Sequence, residues 1–235
     1  MPFNTILSAK TAIIFLIGGS MIAAAVDAYA QVTGGATITS DYVWRGSSQT
    51  REEPAVQAAF KYTHASGLYG SLWGSNVTFQ PDAGARSEFD IAVGWSGDVA
   101  SDWALDVYWL RYQYPAADAD LNWNEFNASA TWRDNYWISA GHSSDTMASD
   151  TTGTYLVLGA RYPFNDTWRA EVSVSRYLLE DIYSDSYTHG SAGVVYTFNA
   201  PFEARVTYHD TGSSAERLFT RMAGSRVELA IQTSF

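Results

Sequence analysis

The chain of 235 residues has no cysteine, so disulfides do not hold its fold. Charge is scarce as well. Asp, Glu, Lys and Arg make up 17% of the residues, against about a quarter in a soluble domain. Beyond residue 30 no stretch stays apolar for the ~20 residues that a membrane-crossing helix needs. The net charge of −11 argues against nucleic acid as a partner. His64, His189 and His209 are isolated, and no metal-ligand spacing links them, so neither metal nor cofactor is expected. What the chain does have is aromatic residues, which reach 15% and include 9 Trp and 15 Tyr.

The N-terminus reads as a secretory signal peptide over residues 1–30. Lys10 carries its one positive charge, residues 11–26 are almost wholly apolar or small, and Ala28-Tyr29-Ala30 fits a small-x-small cleavage site. The mature chain, 31–235, is long enough for one domain.

Its hydrophobic period is two. Phe202, Ala204, Val206 and Tyr208 oppose Glu203, Arg205, Thr207 and His209; wound as a helix, the same residues would scatter charge on every side. Phe126, Ala128, Ala130 and Trp132 oppose Glu125, Asn127, Ser129, Thr131 and Arg133 in the same way. Twelve strands are expected, near 35–45, 54–63, 67–79, 87–95, 102–114, 121–133, 135–142, 153–162, 167–178, 187–198, 202–210 and 224–235. Connections alternate between short and mostly longer ones, as in a barrel with short periplasmic turns and long external loops. Aromatic pairs flank the short turns: Trp95 with Trp103, Trp132 with Tyr136, Tyr162 with Trp168, Phe198 with Phe202. Such rings suit the headgroup boundary. The expected fold is therefore all-β, a transmembrane antiparallel up-and-down barrel in the outer membrane. The alternating last strand closes on Phe235 and resembles the assembly signal of such barrels.

The segment Ser40-Asp-Tyr-Val-Trp-Arg-Gly-Ser-Ser-Gln-Thr50 resembles the opening motif of the TorF porin family of Gram-negative bacteria. Pro54-Ala-Val-Gln57, residues 70–77 and Tyr114-Pro115 fit the same pattern in order. The resemblance implies an outer-membrane barrel acting as a pore.

The inward faces in this register carry Asp41, Lys61, Glu88, Asp90, Asp106, Glu125, Arg133, Arg169, Glu171, Glu203, Arg205, Arg226 and Glu228. Interior charge must be paired or wet. These residues read either as a pore lining with a mild preference for cations or neutral solutes, or as a salt-bridge network that plugs the lumen. Glu203 and Arg205 facing Glu228 and Arg226 suit the plug. Trp123, Trp137, Tyr108 and Tyr112 also point inward, unless the register is shifted by one. Gly46 and the polar run 47–53 read as a solvated external loop, with a constriction folded into the lumen as the alternative. His142 and Ser144 share one strand face, like the His-x-Ser pair of outer-membrane phospholipase A, but the residues around them do not match that family and no orienting partner is evident. The expected function is passive diffusion of small hydrophilic solutes, without chemistry. A closed barrel acting as adhesin or receptor is the alternative. Expected partners are outer-membrane lipid and lipopolysaccharide, the barrel assembly machinery and small polar solutes.

Overall fold

The computed structural model describes residues 30–179 and 185–235, and of the preceding segment only the paired strands Phe15–Leu16 and Ser20–Met21. Apart from those two pieces, the expected signal peptide lies outside the described residues.

Twelve antiparallel strands close into one barrel. They are β1 (Gln31–Thr39), β2 (Ala55–Thr63), β3 (Leu68–Asn76), β4 (Ser87–Ala100), β5 (Trp103–Gln113), β6 (Trp123–Trp132), β7 (Tyr136–Ser143), β8 (Gly153–Pro163), β9 (Trp168–Leu179), β10 (Tyr187–Asn199), β11 (Phe202–Thr211) and β12 (Arg226–Ser234). Each pairs with its sequence neighbours, and β12 pairs with β1 to complete the ring. The expected strands are all present. The first begins earlier and stops at Thr39, because the chain then turns into the lumen. The fourth runs on to Ala100.

The distribution of polarity is inverted relative to a soluble protein. Val32, Ile38, Val56, Leu72, Val93, Leu158, Val174 and Ile231 are exposed, while Thr37, Gln57, Ser71, Glu88, Glu125, Asn127, Ser139 and Glu228 are buried. Alternate side chains meet lipid, and the strands satisfy each other's backbone groups. Trp103, Tyr136, Tyr162, Trp168, Phe198 and Phe202 are exposed beside the short turns. Trp132 meets Tyr136 at 5.4 Å and Phe198 meets Phe202 at 6.1 Å between ring centroids. An aromatic girdle thus marks the turn end.

The closing seam depends on a glycine. Gly34 and Phe235 exchange both backbone hydrogen bonds, at 2.7 and 3.0 Å. The Phe235 ring lies over the place where a Cβ on Gly34 would stand, 2.7 Å away. A second glycine shapes the lumen: a Cβ on Gly159 would fall within the inward-pointing Trp137 indole.

Candidate pore constriction

Residues 41–50 fold into the barrel as a hairpin. This corrects the solvated-loop reading for Gly46 and residues 47–50, whereas residues 51–53 are exposed as that reading expects. Val43–Trp44 pairs with Ser47–Ser48, and residues 41–48 and Thr50 are all buried. The two-residue turn is made by Arg45 and Gly46, both at positive φ, 49° and 83°. That twist suits a tight hairpin and favours Asn or Gly. At Gly46 there is no room for a side chain, since a Cβ would meet the His189 ring at 2.9 Å.

Polar contacts fix the hairpin at its root. Asp41 accepts hydrogen bonds from Ser48 at 2.5 Å and Thr50 at 3.0 Å, and pairs with Arg226 at 3.2 Å. The Ser48 N–H donates to the Met222 carbonyl at 2.6 Å. A polar strand edge buried inside the barrel would be costly without such partners.

Arg45 forms the tip. Its Nη2 donates to both Glu125 oxygens at 2.6 Å, and each side chain is at most 2% exposed. The guanidinium also lies over the rings of Trp44, Tyr155 and Tyr177 at 4.4, 4.4 and 4.7 Å. The Tyr187 hydroxyl donates to the Arg45 carbonyl at 3.0 Å. A non-glycine residue at positive φ costs about 1–3 kcal/mol. Arg occupies this turn position for its side chain, not for its backbone preference.

Below the hairpin, toward the turn end, the lumen is lined by charge. On the β8–β12 wall Arg169 donates to Glu171 at 2.8 Å and to both Glu203 oxygens at 2.5 and 2.9 Å. Arg161 approaches Glu171 at 3.6 Å. Arg205 holds Glu228 at 2.7 Å, and His209 bridges Glu228 and His189 at 3.0 and 3.1 Å. Of the four residues expected to face one another, Arg205 and Glu228 pair, while Arg226 binds Asp41 and Glu203 turns elsewhere. In the strand register Glu203 lies opposite Gln232, and it binds Arg169 across the other neighbour instead. The β2–β6 wall is more acidic. Lys61 stands 3.5 Å from the centroid of Tyr69, whose hydroxyl donates to Asp106 at 2.8 Å. Glu88 is buried beside Tyr42, Tyr114 and Asp90. Between the Arg45 hairpin and the Arg205–Glu228 wall lies a polar cavity of about 100 Å³.

The structure places Asp41, Lys61, Glu88, Asp90, Asp106, Glu125, Arg169, Glu171, Glu203, Arg205, Arg226 and Glu228 toward the interior. Arg133 is a correction. It sits with Asp134 in a tight turn at φ 51° and 57°, exposed, with Asp102 at 3.4 Å. The strand ends one residue earlier than its alternation suggests. Trp123, Trp137, Tyr108 and Tyr112 are buried inside, so the register is not shifted. Two inward bases escaped the sequence reading. Arg161 shares its face with Tyr155 and Val157 and pairs across the strands with Glu171. Arg45 closed the expected first strand, 35–45, but that strand stops at Thr39 and Arg45 stands in the turn of the inserted hairpin. The inward set is thus eight acids and six bases. His142 bonds Thr154 at 2.9 Å, not Ser144. In the loop 77–86 the Arg86 guanidinium and the Gly84 N–H hold the Asp82 carboxyl down to about 2.

The chain belongs to a family described as bacterial protein of unknown function (Gcw_chp), whose model matches residues 23–235. That description does not carry the TorF name. No curated protein matches the sequence. Among solved structures, the KdgM porin is similar at a TM-score of 0.55 and 8% identity, covering 87% of this chain and 99% of that one. The NanC porin is similar at 0.55 and 10%, with the same coverage. A further KdgM structure, at 0.54 and 8%, is described as a complex with disordered oligogalacturonate and covers 87% and 99% of the two chains. At these identities the likeness is one of fold.

Proposed function

We propose that the protein is an outer-membrane pore through which small hydrophilic solutes and ions diffuse, with the Arg45 hairpin as its constriction. The observation that carries this reading is the polar cavity between the hairpin and the charged wall, inside a barrel whose outer face is apolar. Long loops would face the medium and short turns the periplasm. The pore-lining residues would be the twelve inward members of the expected set together with Arg45 and Arg161. No chemical step is needed, because selection would follow from width and charge. KdgM has been solved with an acidic oligosaccharide, but eight acids against six bases here favour cations and neutral polar solutes.

Purified protein in planar bilayers should give small, stepwise conductance with modest cation preference. A tight bilayer at ample protein would overturn the pore and favour a closed receptor, a reading that the buried Arg45–Glu125 pair also suits. The reading further implies delivery by the barrel assembly machinery into lipid and lipopolysaccharide, with Phe235 as the recognised end. Phe235→Ala should lower the fraction of protein that becomes a heat-modifiable barrel in the outer membrane by about tenfold. An unchanged fraction would remove that role.

A further inference from the structure

The hairpin separates two unlike cavities. Its residues alternate in direction: Val43 and Arg45 line the polar cavity beneath, and Trp44 lines a second cavity at the loop end. This outer cavity has a volume of about 270 Å³. Its main walls are Trp44, Phe79, Tyr114, Leu121, Trp123 and Phe219. Among the described residues that line it, none is charged. Ser47, Ser48, Gln49 and Gln80 are polar residues of its lining.

We propose that the outer cavity is a binding site for a small, uncharged molecule built on an aromatic ring with one polar group at its edge. Size, charge and wall chemistry each point that way. An apolar cavity of about 150 Å³ takes up benzene, so 270 Å³ accommodates a substituted ring. Trapping an ion among uncharged walls would forfeit its hydration without a partner. A polyol would leave several hydroxyls unsatisfied, each at the desolvation cost of an unpaired polar group. The rings are also held in place beforehand. Trp123 is stacked on Tyr112 at 4.1 Å and 7°, and Phe79 packs edge-on against Tyr114 at 5.4 Å. Fixed walls reduce the ordering cost of binding. The site needs no solute passage, so it stands whether or not the barrel conducts.

The test is calorimetric titration of p-cresol into the folded protein in lipid nanodiscs, with empty nanodiscs subtracted for partition into lipid. Benzoate and glucose serve as the charged and the polyol probes. Saturable binding of p-cresol alone is expected. Leu121→Trp, which fills the cavity, should weaken it at least about tenfold, with heat-modifiable migration showing an intact barrel. Ala83→Trp fills the same cavity from another loop and decides the matter if the first variant fails to fold. No saturable heat above empty nanodiscs, equal binding by the filled variants, or binding of benzoate or glucose as tight as that of p-cresol would each overturn the site.

Discussion

Arg45→Ala is expected to raise single-channel conductance by roughly a factor of two to five and to increase cation preference. The guanidinium occupies the space between Glu125 and the rings of Tyr155 and Tyr177. Its removal widens the passage at the hairpin tip and leaves the Glu125 carboxylate facing the lumen. Breaking a buried pair by removing one partner costs about 3–5 kcal/mol. The hairpin and the water that can enter the lumen absorb that cost, because the barrel's own hydrogen bonds do not pass through Arg45. Heat-modifiable migration of the barrel should therefore persist. Glu125→Gln tests the same contact from the other side: conductance should again rise, but with a shift toward anions, since Arg45 then keeps its charge. Single-channel recording in a salt gradient reads both. Unchanged conductance in both variants would take the hairpin out of the solute path.

Much of the barrel was legible because a strand reports its environment at every second residue. Phe202 to His209 separates completely into lipid-facing and lumen-facing sets, and the turn lengths sort by parity. The hairpin was less legible for a physical reason. Its residues bury both faces, one against the polar lumen and one against the aromatic outer cavity, so no single polarity alternation marks it as part of the interior. Ser48 and Thr50 look solvated in sequence, yet their partners are Asp41 and Met222, the latter 174 positions from Ser48. Arg133 failed in the opposite direction. Its alternation fits the strand, but the turn at Arg133–Asp134 begins before the pattern ends. Partner choice also lay outside sequence reach, since Glu203 finds Arg169 through the register of three strands.

That partner choice sets the second large effect. Arg169→Glu should destabilise the barrel and strengthen cation preference, and Arg169→Lys should do neither to the same degree. Arg169 ties β9 to β11 across β10 by holding Glu171 and Glu203 together. Reversal would leave three carboxylates near Arg161 alone. The side chains are 14% and 19% exposed, so water screens part of the penalty. The full 3–5 kcal/mol of a buried pair then falls to about 1–3 kcal/mol, readable as a lower denaturant midpoint in lipid. Lys keeps the charge but loses the forked contact to Glu203. It should therefore preserve selectivity while giving up part of the stability. The two sites separate cleanly: Arg45 acts on conductance through a hairpin that the barrel does not need to close, whereas Arg169 acts on the wall itself. A reversed Arg169 that left both midpoint and ion preference unchanged would mean that this wall neither holds the barrel nor meets the permeating ions.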